Sequence, residues 1–237
     1  MKFRVFNDPE ALGKLLVTLW GGVMPTVRIF ALTIALSVPL GLLLAAGRVS
    51  KSRIIRIPIS IYIYIIRSTP LMLQLLFAYF LISKLTWTPF LTAVFGDKKT
   101  EFATRCIIYM FSLNYAAYFA EIFRGGIQSI PLGQKEAAKV LGMSRMMSFF
   151  RIQLPQIFKN VMPSLTNEFV TLVKDTSIAK VISVSLDNRT ILHVAEKQVS
   201  SLTSIEPYIL VLVFFLVFNG IVEQSCKFIE RRMDYYR

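Results

Sequence analysis

Long apolar stretches separated by short basic segments dominate the pattern of hydrophobic and polar positions. A bilayer core about 30 Å thick is crossed by roughly 20 mostly apolar residues in a helix. Five stretches reach this length, at about residues 15–46, 57–82, 102–123, 161–185 and 208–228. The fourth of them is the most polar. The pattern therefore predicts an all-α integral membrane protein with five transmembrane helices, forming a single domain over residues 1–237.

The basic residues predict how the chain is oriented in the membrane. Lys and Arg are concentrated between the first two spans, in residues 125–160, and after the last span. Because short cytoplasmic loops carry an excess of Lys and Arg, these three segments are expected on the cytoplasmic side. The sequence thus predicts an N-terminus outside the cell and a C-terminus in the cytoplasm.

Composition agrees with a membrane location. Hydrophobic residues make up 54% of the 237 residues, charged residues only 17%, and the mean hydropathy is +0.57. A soluble domain carries more charge than this. The net charge is +13, but the cations flank apolar blocks, which indicates contact with membrane lipid rather than with nucleic acid. His193 has no His or Cys partner at ligand spacing, so no metal site is expected.

A polar, alanine-rich decamer, GQKEAAKVLG, occupies residues 133–142 within the predicted cytoplasmic segment. Ser129 is suited to cap a helix start, Pro131 to a first turn and Gly142 to a left-handed C-terminal position. A second helix is expected from Ser144 to Pro155. A helix as short as the decamer is marginal alone in water, so it either packs on another surface or serves as a solvated connector.

Two of the predicted spans carry polar side chains at helical spacing. On the fourth span, Lys174 and Asp175 would each cost about 2.5–3.5 kcal/mol at the bilayer centre, so this span cannot face lipid all round. The polar positions of the two spans are Asn114, Tyr118 and Glu121 on one, and Asn167, Thr171 and Lys174 beside Glu168 and Asp175 on the other. Their spacing predicts a shared polar interior.

This interior suits a zwitterion, although structural ion pairs between helices would explain the same residues. An ammonium group favours carboxylates such as Glu121, Glu168 or Asp175. A carboxylate favours Arg67, Lys174 or exposed backbone N–H groups. Glu121 lies near the cytoplasmic end, where it is alternatively solvated or paired with Arg124.

The stretch around Thr69 and Pro70 predicts an interruption within the second span. Thr69 is suited to cap a helix that has Pro70 as its first residue, and this proline frees the carbonyl of Ile66. The N-terminus of a broken membrane helix attracts anions, and Arg67 adds a full positive charge. A simple proline kink is the alternative.

The decamer and its flanks resemble a known family. EAAKVLGMSRMMSFFRIQLP is similar to the EAA loop of ABC importer permeases, through Glu136-Ala137-Ala138, Gly142, and Leu154-Pro155. LNYAAYFAEIFRGGIQSIPLGQ, NEFVTLVKDTS and YIIRSTPLMLQLLFAY resemble the polar amino-acid permeases among type I importers. The similarity extends from about Leu15 to the C-terminal tail.

The resemblance implies the transmembrane-domain fold of a type I ABC importer, with the decamer as a coupling helix in the cytoplasmic loop 125–160. The residues implied to seat this helix in an ATPase groove are Gln134, Glu136, Ala137, Ala138, Lys139 and Gly142. The chain contains no G-x-x-x-x-G-K-[ST] phosphate-binding loop. It is therefore expected to be a permease rather than an enzyme, without a cofactor of its own, while ATP-Mg binds the ATPase.

The implied partners are two ABC ATPase subunits, an extracytoplasmic solute-binding protein, and a second permease forming a homodimer or a heterodimer. The implied location is the cytoplasmic (inner) membrane of a prokaryote, and the implied substrate is a polar amino acid such as glutamine, glutamate, arginine, histidine or cystine. The outer segment 187–206 is expected to form a gate or docking surface, and Trp87 an interfacial aromatic. The alternative function is an ATPase-independent secondary transporter or channel, with Lys174, Asp175 and Glu168 as an ion relay.

Overall fold

The computed structural model describes residues 5–85, 88–96, 99–182 and 189–233. The expectation for Trp87 and the first two residues of the outer segment 187–206 lie outside the described residues. The helices are α1 (Pro9–Arg48), α2 (Arg53–Ser68), α3 (Leu71–Leu85), α4 (Pro89–Phe95), α5 (Lys99–Gln128), α6 (Leu132–Val140), α7 (Arg145–Ser148), α8 (Leu154–Asp175), α9 (Ile191–Leu202) and α10 (Glu206–Arg232). A π-helical segment, Phe149–Gln153, joins α7 to α8, and a 3-10 helix, Thr176–Ile182, follows α8. The described part of the chain contains no strand.

Three described helices are long and apolar enough to cross a membrane: α1, residues Glu101–Gln128 of α5, and α10. The pair α2 and α3 meets the same criterion together but is bent by 108°, which makes at most four such spans within the described residues. The polar helix α8 is not among them. The all-helical membrane fold is therefore confirmed, whereas the count of five spans stays a prediction.

Helix α1 starts with a strong local signal. The Asp8 carboxylate accepts hydrogen bonds from the backbone N–H groups of Glu10 (3.0 Å) and Ala11 (3.3 Å), and Pro9 occupies the first turn. Such a cap satisfies N–H groups that have no partner within the helix. The helix then runs for 40 residues, or about 60 Å at 1.5 Å per residue, and so contains the whole of the first predicted span.

Helix α5 lies at the centre of the core, packed against α1. Its side chains Phe111, Phe119 and Phe123 are almost completely buried. Gly41 of α1 faces this helix, where an added Cβ would lie only 2.6 Å from the Cβ of Phe119. Small residues of this kind let membrane helices approach closely, and this packing fixes α5 as the wall on which the polar site is built.

A second close approach of α1 yields a stability prediction. At Gly22 an added Cβ would lie 2.6 Å from the Cα of Ile191 in α9, and the neighbouring Thr26 hydroxyl accepts a hydrogen bond from the Ile191 N–H (3.0 Å). Because backbone cannot yield as a side chain can, we expect Gly22→Ala to destabilise the protein by about 1–3 kcal/mol. Thermal unfolding in detergent would measure this loss.

Gly21→Ala is the matched control, because an added Cβ at Gly21 meets nothing within 4 Å. This neighbouring replacement is expected to be neutral or to stabilise by about 0.4–1 kcal/mol, since alanine restricts the unfolded chain. Equal melting temperatures for the two variants would contradict the assigned contact between α1 and α9.

The decamer forms the short helix α6 and ends as predicted at Gly142, which has φ +74°. The N–H of Met143 donates to the carbonyl of Ala138 (3.0 Å), and the N–H of Gly142 donates to the carbonyl of Lys139 (3.0 Å). This pair of hydrogen bonds is a Schellman motif. The predicted cap at Ser129 is wrong. Its hydroxyl donates back to the Gly126 carbonyl (2.8 Å), and Pro131 takes the capping position without a side-chain bond.

The second cytoplasmic helix starts as predicted, with the Ser144 hydroxyl accepting the N–H of Met147 (3.2 Å). The predicted end at Pro155 is wrong, because the π-helical segment carries the chain directly into α8. Pro155 then falls in the first turn of α8, directly after the π-helical segment.

Candidate functional site

The second hydrophobic stretch is a broken helix rather than one kinked span. Helix α2 ends at Ser68 and α3 begins at Leu71, with a bend of 108° between them. The prediction that Thr69 caps α3 is wrong, because α3 begins at Leu71 and Pro70, not Thr69, is the residue directly before it. The Thr69 hydroxyl instead donates backwards to the carbonyl of Ile65 (2.9 Å), which closes the end of α2.

Gln74, which the sequence analysis missed, holds this break together. Its Nε2 donates to the Ile66 carbonyl (2.8 Å), which Pro70 leaves without a helical partner, and to Thr69 Oγ1 (2.6 Å). Its Oε1 accepts from Asn114 Nδ2 of α5 (2.9 Å). A polar amide one turn after a proline, inside an apolar run, is the signal that would have identified it.

An open cavity of about 490 Å³ lies between the helix break, α5, α8 and the following 3-10 helix. The predicted polar residues that line it are Arg67, Thr69, Asn114, Tyr118, Glu168, Thr171 and Asp175. It is also lined by Ser68, Pro70, Leu71, Tyr115 and Ile178. Residues far apart in sequence thus converge on one polar site.

The cavity carries charges of both signs. Arg67 holds its guanidinium over the Tyr118 ring, 5.2 Å from the ring centroid, an arrangement that favours a cation. On α8, Asp175 Oδ2 accepts a hydrogen bond from the Tyr115 hydroxyl (2.8 Å). Tyr115 is only 2% exposed, so this carboxylate is anchored to the core. With Glu168, the lining has two carboxylates and one guanidinium.

Three predicted site residues do not line this cavity. Asn167 and Lys174 are exposed on α8, although Thr171 of the same predicted stripe does line the cavity. Glu121 lies further along α5, where its carboxylate accepts from Arg48 Nε (3.2 Å) and Arg124 Nε (2.8 Å). Pairing of Glu121 with Arg124, the alternative considered from the sequence, is confirmed.

Helix α6 has one face exposed to solvent, called here its outward face, and one face packed against the rest of the chain. Val140 and Leu141 are 86% and 77% exposed. The predicted contact residues that are exposed with them are Glu136, Ala137, Lys139 and Gly142. Ala138 is 1% exposed, and Gln134 donates to Gln156 Oε1 of α8 (2.9 Å). The assignment of these last two to a partner-facing surface is therefore corrected, because both fasten α6 to its own chain.

Comparison with known sequences finds similarity to the membrane components of transport systems. Residues 37–235 match the model of the family described as "Binding-protein-dependent transport system inner membrane component". The octopine transport system permease protein OccM of Rhizobium radiobacter is 33% identical over 94% of this chain and 89% of its own length. The L-cystine transport system permease protein TcyB of Bacillus subtilis is 34% identical over 91% of this chain and 86% of its own length.

Solved structures share the same arrangement of helices. One described as a crystal structure of an amino acid ABC transporter with histidines superposes with a TM-score of 0.80 at 29% identity, covering 95% of this chain and 98% of that one. An inward-facing MetNI methionine ABC transporter superposes with a TM-score of 0.70 at 17% identity, covering 95% of this chain and 99% of that one. The second likeness concerns the fold alone.

Proposed function

Because the chain belongs to the family of binding-protein-dependent transport system inner membrane components, we propose that it is the permease subunit of an ATP-driven importer for a polar amino acid. The chain supplies the path across the inner membrane, and a separate ATPase supplies the energy. The printed names of the relatives support this substrate class, since they refer to octopine, L-cystine, or histidine, lysine, arginine and ornithine.

The observation that carries the proposal is the presence of charges of both signs in the lining of the cavity at the helix break. A substrate carboxylate binds Arg67 and the N–H groups in the first turn of α3 at Leu71, which have no acceptor within the helix. The substrate ammonium binds Glu168 and Asp175. A single zwitterion satisfies both sets of groups.

The cost of placing these groups in a membrane also supports a transport path. Charged side chains within a bilayer are expensive, and non-helical backbone at this depth is tolerated only where it faces protein or lines a cavity. The broken helix beside Arg67 meets this condition. The cavity volume of about 490 Å³ falls within the range of about 300–1,000 Å³ that is usual for small-molecule sites.

The exposed stripe of α8 supports a second permease subunit in the assembly. Lys174 and Asn167 are exposed on the single chain, and a lysine that faced lipid near the bilayer centre would cost about 2.5–3.5 kcal/mol. A facing permease, either a second copy or a similar chain, would replace lipid there. Together the two permeases would enclose the path and alternate between outward and inward access.

In the complete proposal, each permease contributes five spans, with its N-terminus outside and its C-terminus in the cytoplasm. The solute-binding protein docks on the outer side. On the inner side the exposed face of each α6 seats in one of two ATPases, which bind ATP-Mg. Exposed Val140 and Leu141 beside Glu136 and Lys139 give this face the apolar and charged character of a docking surface.

Blocked amino acids test the proposal. The purified assembly would be titrated with L-glutamine, L-glutamate, L-arginine, L-histidine and L-cystine, and the tightest ligand would be compared with its N-acetyl and its carboxamide derivatives. Each derivative removes one charge, so each is expected to bind about tenfold more weakly or worse. Equal affinity for free and blocked forms would contradict recognition of a zwitterion.

A further inference from the structure

A second cavity, of about 510 Å³, lies near the other end of the same helices, where α1 and α5 end, α2 begins and α6 starts. Its lining is Arg48, Val49, Arg56, Arg124, Ile127, Gln128, Ile130, Leu132 and Lys135. It contains no residue of the amino-acid cavity. The proposed substrate path gives it no role, although its position beside the coupling helix α6 gives it a direct link to the machinery.

The charges of this second cavity are not balanced by the protein. Its lining has four cations and no acid. Glu121 lies next to it and pairs with two of them, at 3.2 Å from Arg48 and 2.7 Å from Arg124. Arg56 and Lys135 have no carboxylate within ion-pairing distance among the described residues. Two positive charges thus remain for an external anion.

The geometry favours an anion that also has an apolar part. Beside the cations, Val49, Ile127 and Leu132 give the cavity an apolar lining. The cations end or begin the helices, so the cavity lies at the expected boundary between the bilayer and the cytoplasm. The guanidinium group of an arginine can donate two parallel hydrogen bonds to two oxygens of a phosphate group. Basic pockets between transmembrane helices on the cytoplasmic side bind anionic lipid headgroups.

We propose that this cavity binds the phosphate group of an anionic phospholipid, with the glycerol and upper acyl chain against the apolar lining. The lipid would connect Arg56 of α2 with Lys135 of α6, two elements that no direct ion pair joins. It would thereby tie the coupling helix to the ends of the spans. Anionic lipid is then a requirement for full coupling, whichever amino acid is transported.

Native mass spectrometry of the detergent-solubilised full-length chain tests the assignment with phosphatidylglycerol as the probe and phosphatidylcholine as the neutral reference. The double variant Arg56→Gln/Lys135→Gln removes the two unpaired cations and leaves the Glu121 pairs intact. Its matched control, Lys51→Gln/Arg53→Gln, removes two exposed cations of the same region that do not line the cavity.

We expect the wild type and the control to retain phosphatidylglycerol in preference to phosphatidylcholine, and the double variant to retain about tenfold less. Equal retention by all three proteins would overturn the proposal. Retention of inorganic phosphate by the wild type without a preference for phosphatidylglycerol over phosphatidylcholine would overturn the lipid assignment and identify a free phosphate ion as the occupant.

Activity of the reconstituted assembly gives a second readout. In vesicles of phosphatidylcholine, added phosphatidylglycerol is expected to raise the substrate-stimulated ATPase rate of the wild type and the control several-fold, and that of the double variant much less. Loss of ATPase co-purification in the double variant with lipid retention unchanged would overturn the proposal, because it would assign these cations to the ATPase surface.

Discussion

Replacing Asp175 by asparagine is expected to weaken amino-acid binding about 10–100-fold while leaving the protein folded. The asparagine oxygen still accepts the Tyr115 hydroxyl, now 2.8 Å from Asp175 Oδ2, so the shape of the cavity is kept and only the negative charge is lost. A hydrogen bond to a charged group contributes about 1.5–3 kcal/mol, and each 1.4 kcal/mol corresponds to about tenfold in affinity. Calorimetric titration of the purified assembly measures this change.

Lys174→Gln is the control for this prediction, because it removes a charge from the adjacent residue that does not line the cavity. Its dissociation constant for the same amino acid is expected to stay near that of the wild type. An unchanged affinity in Asp175→Asn, or an equal loss in both variants, would remove Asp175 from the binding site.

Replacing Glu136 by lysine is expected to abolish transport and to reduce substrate-stimulated ATPase activity by about tenfold or more. Glu136 is exposed on the outward face of α6 and has no ion-pair partner among the described residues, so the fold does not depend on it. A reversed charge within a docked surface costs several kcal/mol. The ATPase rate of the reconstituted assembly, with and without amino acid, measures the effect.

Glu230→Lys makes the same charge reversal near the end of α10, on the same predicted side of the membrane and away from α6. This variant is expected to keep its substrate-stimulated ATPase activity. The melting temperature of Glu136→Lys should also match that of the wild type. Normal stimulation of the ATPase in Glu136→Lys would contradict the role of α6 in coupling.

Local signals made part of this structure predictable from the sequence. Pro70 has no N–H, so the sequence predicted either a helix break or a proline kink in the second apolar stretch. Gly142 takes the left-handed conformation, which glycine adopts without steric cost. The polar stripe of α8 was equally visible. Because ionised side chains are expensive in a membrane, Glu168 and Asp175 were expected to face protein or a cavity, and they line one.

The remaining features depend on contacts between distant segments. The position of Gln74 after Pro70 could have marked it as a polar residue of the break, but its partners, the Ile66 carbonyl and Asn114, are known only from the folded structure. Ala138 looks like a surface residue of a polar helix, but packing buries it. The π-helical segment before α8, which replaces the helix end predicted at Pro155, could not be deduced from helical spacing.

Uptake into liposomes tests the central claim most directly, namely that this chain is a path driven by a separate ATPase through α6. Radiolabelled amino acid would be added with the binding protein to liposomes containing the permease, either with or without the ATPase and internal ATP. The account predicts accumulation only when ATPase and ATP are both present, and none with Glu136→Lys. Accumulation by the permease alone would contradict it and favour an ATPase-independent transporter.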